Sequence, residues 1–549
     1  MDQHKHHHFS TWKKNQQPSK DFWTDEGTDS KKKKEQDAEV VLDALEVLVS
    51  RLGEFTHNLE VPASNPALMD SFFEGSLFPD DTSTTKDISV EELAEVFCRG
   101  YVNLPPLQLG NITSAATSNQ KIDMVQETRD CPRRAILFFL AQQCGPPGLK
   151  DGIVSDSIQD IQCNANNIST VKHLQKAWTP IYEELFQCLL EENSQYTVNF
   201  LVEIRGDLLR LMRILPKENQ ESLVEALKEL ERHLRRLLSV WFSPGLLEIR
   251  RVTYDDTSAG IIEKIALKEA VHPMKSLDDL RQRLGPKRRV FALFHPLLKE
   301  EPLVILHVHL ESKPDHIPSK MEHVLAEADA DGQDFTPLVA TFYSISNTQS
   351  GLTGGLGLGE FVIKQAVQLL QREFPNSIRT FVTLSPMPTF RKWVEGIVPK
   401  KGNVIEDQAW AKELRARGDL NADTIELLIE ARPELEALIH AKKFDEIEKQ
   451  LGKVEHLLTK LAAHYLIVAK KKGRSEKPLD AVTGFHVGNG AEVFRVNFGA
   501  DFSRKGLLRS FGVMVNYRYE LDNIAHNKAK FESSQYSHIP TTAQVKKLL

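Results

Sequence analysis

The chain has 549 residues, 41% hydrophobic and 26% charged, with a formal net charge of −7. That length allows two or more domains. The acidic balance argues against nucleic acid as the main partner, and no apolar run approaches the roughly 20 residues that span a bilayer. The five cysteines, Cys98, Cys131, Cys144, Cys163 and Cys188, form no CxxC pair and are odd in number. They read as reduced intracellular thiols.

Residues 1–37 carry His4, His6–His8 and the run Lys31–Lys34. They have no apolar core of a secretory signal and too many acids for a mitochondrial presequence, so they read as a disordered tail. From 38 to 241 the texture is helical. Val41, Leu45, Leu48 and Leu52 fall three or four apart, the spacing of an amphipathic helix. Residues 61–86 form a connecting loop, and Ser89–Glu92 fits a capping box. Further helices are expected over 133–143, 168–191, 196–214 and 218–241. The last bears a stripe of Leu223, Leu227, Leu230, Leu234 and Leu237, with Arg232, Arg235 and Arg236 toward its C-terminal end. The stripes suit a domain core with an oligomerisation role.

At Trp241–Gly245 the pattern breaks at Pro244 and Gly245. Strands are expected over 246–254, 289–294, 302–310 and 338–345, with a short helix near 258–267 and an exposed helix and loop over 315–332. After the fourth strand comes a loop holding Gly351, Gly354, Gly355, Gly357 and Gly359, then a helix, then a strand over 380–384 ending at Ser385-Pro386. Residues 405–470 return to helical periodicity as an insert. Strands are expected again at 482–486 and 492–498. Residues 513–521 suit a last helix or strand, and the tail beyond Asn523 reads as less ordered.

The glycine loop is the first candidate site. Residues without a side chain let backbone N–H groups approach a pyrophosphate, and a following helix N-terminus adds positive charge. No Gly-Lys-Ser/Thr of a Walker loop exists, and Gly354-Gly355-Leu356-Gly357-Leu358-Gly359 is not GxGxxG. Gln349 and the glycines after it approach the Gln/Arg-x-x-Gly-x-Gly/Ala loop that holds acyl-CoA in acetyltransferase-like folds. A tight structural turn is the plain alternative. Ser385 is stiffened by Pro386 but lacks the glycines of a nucleophile elbow. His486, in Gly484–Gly490, can move a proton near neutral pH, although a lone histidine is more often structural. His295, His307 and His309 could be imagined around a metal, but no HExxH or paired CxxC supports one. They read as core or surface histidines.

Taken together, eight segments resemble the malonyl-CoA decarboxylase family. They are NFLVEIRGDLL (199–209), WFSPGLLEIRRVTY (241–254), EAVHPMKS (269–276), EPLVILHVHL (301–310), TFYSISNTQSGLTGGLGLGEFVIKQ (341–365), TLSPMPTFRKW (383–393), AVTGFHVGNGAEVFRVN (481–497) and GVMVNYRYEL (512–521). The resemblance implies an all-helical N-terminal domain, then an acetyltransferase-like (GNAT-type) α/β catalytic domain over 242–549. It implies CoA held by Gly354, Gly355, Leu356, Gly357, Leu358, Gly359 and Glu360. It implies Ser385 and His486 as a catalytic pair, with Tyr519 beside them. Malonyl-CoA would be the substrate and CoA part of it, with no separate cofactor and no metal, and the protein would be a homo-oligomer, possibly a tetramer. An acyl-CoA-dependent acyltransferase or a non-catalytic acyl-CoA-binding protein would use the same loop. The compartment stays open between cytosol and mitochondrion. The family's Ser-Lys-Leu peroxisomal ending is replaced here by Lys547-Leu548-Leu549.

Overall fold

A computed structural model describes residues 90–104, 106–107, 132–142, 181–192, 194–215, 221–274, 276–298, 300–314, 316–326, 335–398, 404–418, 420–441, 444–471 and 477–549. The expected tail, the helix at 38–52, the loop at 61–86, and Cys131, Cys144 and Cys163 lie outside these residues. The chain divides into two compact units. One takes the described residues up to Leu246 together with Gln349–Leu356; the other takes Leu247–Thr348 and Gly357–Leu549.

Among its described residues the first unit has helices and no strand. Its helices are α1 (Val90–Asn103), α2 (Pro132–Gln142), α3 (Ile181–Glu192), α4 (Ser194–Ile214) and α5 (Glu221–Trp241). Helix α4 is central and packs against the other four. Phe200 on α4 meets Phe97 and Tyr101 of α1 edge-on at 5.0 and 5.2 Å, the arrangement that ring quadrupoles favour. The stripe of α5 is shifted from the expected one. Leu227, Leu230, Leu234 and Leu238 are fully buried, while Leu223 and Leu237 are only partly covered. The step from Leu234 to Leu238 follows the 3.6-residue period, which Leu237 leaves. Segment 349–356 lies directly on α4. A side chain at Gly351 would place its Cβ 1.7 Å from the Val202 carbonyl oxygen, so only glycine permits that approach.

The second unit is built on one eight-stranded sheet. Its strands are β1 (Glu248–Val252), β2 (Arg288–Phe294), β3 (Val304–Glu311), β4 (Val339–Asn347), β5 (Thr380–Thr383), β6 (Ser385–Pro386), β7 (Glu492–Asn497) and β8 (Met514–Tyr519). The order is β1-β2-β3-β4-β5-β8-β6, with β7 also on β8. Every pairing is antiparallel except β4 with β5. A parallel pair needs a crossover. Helix α9 (Leu358–Glu373) supplies it. Helices α6 (Ala259–Lys268), α7 (Leu277–Arg283) and α8 (Met321–Leu325) precede α9; α10 (Phe390–Ile397) follows β6.

The insert comprises α11 (Val404–Arg417), α12 (Ala422–Glu430), α13 (Arg432–His440), α14 (Phe444–Leu451) and α15 (Glu455–Ile467). After it come α16 (Ala481–Gly488), α17 (Arg504–Ser510), α18 (Ile524–Ser533) and α19 (Ala543–Lys546).

Two expectations are corrected. Residues 481–488 are a helix, not a strand. Asp480 caps it by accepting from Thr483 N at 2.7 Å, and Thr483, His486 and Val487 are buried at helical spacing. The C-terminal tail is ordered. Phe531, Ile539 and Val545 are buried, and Val493 N donates to the Pro540 carbonyl at 2.8 Å. Of the expected exposed helix and loop over 315–332, residues 316–326 are described; they hold α8, whose Met321 and Val324 are buried rather than exposed.

Candidate active site

The α/β unit brings Ser385, His486 and Tyr519 together. Phe381 and Val382 pair with Tyr519 and Arg518 of β8, and Ser385 and Pro386 pair with Val515 and Met514. The register is unbroken, but the ladder opens between the two halves. There, side chains replace backbone bonds. Asn516 Nδ2 donates to the Thr383 carbonyl at 2.6 Å, and Tyr517 N donates to Thr383 Oγ1 at 3.1 Å. Each backbone group in this buried gap therefore needs a substitute partner, and these supply two of them. Ser385 sits at the far side of the gap, 6% exposed.

Ser385 Oγ donates to Thr383 Oγ1 at 2.9 Å and lies 3.2 Å from His486 Nε2. A hydroxyl has one hydrogen. With that hydrogen on Thr383, Ser385 accepts from His486 Nε2–H. His486 Nδ1 then accepts from the Tyr519 hydroxyl, 2.8 Å away. The result is a directed chain, Tyr519 to His486 to Ser385 to Thr383. Tyr517 stacks on the imidazole with ring centres 4.5 Å apart. Burial pushes the His486 pKa down to about 3, so the ring is neutral near pH 7 and carries one N–H. Burial, helped by the charge of Glu360, pushes the Tyr519 phenol well up. Both groups hold their protons or their neutrality until something changes charge beside them.

A second network holds α16. Asp480 caps the helix, accepts from Thr483 Oγ1 at 3.0 Å, and accepts from Tyr465 of α15 at 3.3 Å. Thr483 Oγ1 lies 2.8 Å from the Tyr517 hydroxyl. Thus the helix carrying His486, the ring stacked on it, and the last helix of the insert share one buried set of hydrogen bonds. Sequence reading singled out none of Thr383, Tyr517 and Asp480. The signals were present: Thr383 precedes Ser385 by two residues on the same strand face, and Asp480-x-x-Thr483 is a capping pattern.

The glycine loop falls in two parts. In the helical unit, Gly354 and Gly355 have φ of +66° and +80°, a region that side chains rarely enter. The buried guanidinium of Arg205, unremarked in the sequence, donates to the carbonyls of Gly351, Thr353 and Gly354. In the α/β unit, Gly357 has φ +69° and caps α9 without a side-chain bond. The first turn of α9 lies over α16: a methyl at Gly359 would come within 3.1 Å of the Phe485 ring. Glu360 pairs with Lys364 at 2.6 Å and Lys528 at 3.5 Å. As a carboxylate it repels phosphate, so its backbone N–H alone could serve an anion.

His307 and Glu269 form a buried pair at 2.9 Å between Nε2 and Oε2. Glu269 also accepts from Ser344 and Ser346 at 2.7 and 3.1 Å. Hydrogen bonds from His307, His272 N and Ser344 outweigh burial and hold its carboxyl far below the usual range. These histidines belong to the core.

Comparison with known proteins decides the family. The profile of the malonyl-CoA decarboxylase C-terminal domain matches residues 245–549, and that of its N-terminal domain matches 150–242. The chain belongs to the malonyl-CoA decarboxylase family. It is 34% identical over 465 residues to the mitochondrial malonyl-CoA decarboxylase of Rattus norvegicus, covering 82% of this chain and 89% of that protein. With the enzyme named likewise from Anser anser anser it shares 34% over 371 residues, covering 67% and 69%.

The crystal structure of malonyl-CoA decarboxylase from Rhodopseudomonas palustris matches with a TM-score of 0.63 and 30% identity, over 88% of this chain and all of that one. The Agrobacterium vitis decarboxylase matches at 0.62 and 30%, over 85% and 96%. The resemblance carried by the eight segments therefore holds. Malonyl-CoA decarboxylase relatives at this similarity make the chain a decarboxylase-family enzyme with a helical N-terminal region and a mixed α/β region.

Proposed function

We propose that this enzyme converts malonyl-CoA to acetyl-CoA and CO2 with Ser385 and His486 at the reacting end. The observation that carries the reading is the directed chain through Tyr519, His486, Ser385 and Thr383, buried beside the first turn of α9. Malonyl-CoA has a carboxylate β to a thioester carbonyl, which is its own electron sink. When the C–C bond breaks, its electron pair moves into the thioester as an enolate. One proton must then reach the α-carbon. Ser385 turns its hydroxyl to the malonyl carboxyl and holds the breaking bond against the carbonyl π system. His486 supplies the proton from Nε2. A neutral imidazole N–H suits this task, because an enolate carbon is the stronger base. Tyr519 replaces that proton through Nδ1.

The CoA moiety is assigned to Gly354, Gly355, Leu356, Gly357, Leu358, Gly359 and Glu360, by backbone N–H groups. That loop follows a central strand and opens a crossover helix, the position it occupies in acetyltransferase-like folds, and we assign that fold to the α/β unit. The helical region, bounded near residues 38 and 241, is assigned to assembly into a homo-oligomer. Mitochondrial residence follows the names of the relatives. The activity influences fatty-acid synthesis and oxidation through the level of malonyl-CoA.

The test is incubation with malonyl-CoA alone. Acetyl-CoA and CO2 in equal amounts, with no acceptor added, are expected. Turnover only when an amine acceptor is present would replace this reading with an acyltransferase.

A further inference from the structure

The helical unit holds a basic cleft whose arginines the chemistry above does not use. Its volume is about 360 Å³, and its lining includes Tyr182, Arg232, Arg235, Arg236 and Gly355, with the carboxylates Glu183 and Glu229. Arg235 runs directly under the loop: a methyl at Gly355 would come within 2.8 Å of its Cδ. The three guanidinium groups are 42–70% exposed. Arg232 pairs with Glu229. Arg236 lies 3.6 Å from Glu183, and Arg235 only 4.0 Å from Glu231. Glu231 is held more closely by Arg205, at 2.8 Å. His233 adds no charge at neutral pH, because burial pushes it down to about 4. Three arginines thus stand near three carboxylates, of which Glu231 is already held by Arg205, so Arg235 is the least neutralised.

A second observation comes from Arg205, whose side chain is 1% exposed. It turns the Thr353 and Gly354 carbonyls inward, at 3.0 and 2.9 Å. In a trans peptide the C=O and the following N–H point in opposite directions. The N–H groups of Gly354 and Gly355 therefore point away from Arg205, and among the described residues neither donates to a backbone carbonyl. Among the described residues, the loop thus offers two N–H groups without a backbone acceptor, and Gly355 lines the cleft together with the three arginines.

We infer that this cleft binds the phosphomonoester on the adenosine ribose of CoA. The inference rests on malonyl-CoA as substrate. CoA carries a pyrophosphate and, separately, one ribose phosphate that is dianionic near neutral pH. Planar guanidinium groups match such a phosphate with paired hydrogen bonds. Arg205 is a positioning residue: it touches the loop, not the ligand.

The experiment compares malonyl-CoA with malonyl-3′-dephospho-CoA, using the unaltered enzyme, Arg235→Gln and the double variant Arg232→Gln/Arg236→Gln. The expected result is a KM roughly tenfold or more higher for the dephospho substrate with the unaltered enzyme, the size of one or two charge-assisted contacts. Each variant raises KM for malonyl-CoA by a similar factor and leaves KM for the dephospho substrate where it was. Because each variant is compared with itself on two substrates, a general loss of folding cannot mimic this pattern. An unaltered enzyme that does not distinguish the two thioesters, or variants that weaken both equally, would overturn the assignment. If neither thioester loses CO2, the decarboxylase reading fails instead. Calorimetric binding of CoA and 3′-dephospho-CoA then decides the cleft by itself, with equal affinities counting against it.

Discussion

Thr383 decides which way the proton chain runs. By taking the Ser385 hydrogen at 2.9 Å it makes Ser385 an acceptor for His486, and so fixes the imidazole with its proton on Nε2. Replacing Thr383 by Val keeps the shape and removes the acceptor that Ser385 Oγ and Tyr517 N share. Ser385 is then free to donate to His486 instead, and the tautomer reverses. The expected loss is about tenfold in kcat, the scale of one buried hydrogen bond, with KM little changed, and Thr383→Ser restores most of it. Steady-state kinetics on both variants checks this; a Val variant that loses only KM would point to substrate contact rather than positioning. At this scale the family segments singled out Ser385 and His486, which the fold brings to 3.2 Å of each other. Thr383 and Tyr517 stand in matching segments too but were not singled out, because their roles show only with the gap in the β5–β8 ladder.

Among the elements, α16 matters most, since it carries His486. Its sequence, AVTGFHVG, is rich in β-branched residues and glycine, and these weaken a helix. Such a composition reads as a strand. What overrides propensity is the buried cap at Asp480 and the bond from Tyr465. Asp480→Ala removes both and should lower stability by about 1–2 kcal/mol, read as a fall in urea midpoint, while Asp480→Asn keeps most of the cap. CO2 release should fall in step, because the imidazole loses its fixed support. Full activity in a destabilised Asp480→Ala protein would separate the cap from the site. The C-terminal helices escaped sequence reading for another reason. Their anchors, Phe531, Ile539 and Val545, are far apart in a polar stretch, so no periodicity appears until the sheet supplies the partner surface. The sheet strands and α9 were legible because apolar runs and the crossover rule both point the same way.

The whole molecule keeps several histidines neutral by burial. His233 and His272 are pushed down to about 4, and His309 and His486 to about 3, from an ordinary 6.5. An unfolded chain binds protons at these rings below pH 6.5, while the folded chain does not until much lower pH. Stability therefore rises with pH across that window. It is complete above about 6.5 and is lost progressively toward 3. Glu269, held low by its partners, acts in the same direction in acid. Asp480, raised by burial, acts in the opposite direction over the range just above the ordinary carboxylate value. Four rings and Glu269 act against it. Urea midpoints should fall steadily from pH 7 to pH 4.5; a flat profile would mean that these rings are protonated in the folded state.

The central claim concerns who moves the proton after CO2 leaves, and the most direct measurement is the rate of CO2 release from malonyl-CoA by His486→Asn and Ser385→Ala. Both should fold with near-normal urea midpoints at neutral pH and lose roughly 10²–10⁴ in kcat, the usual contribution of a positioned acid or base. Near-normal turnover in both folded variants would contradict the assignment.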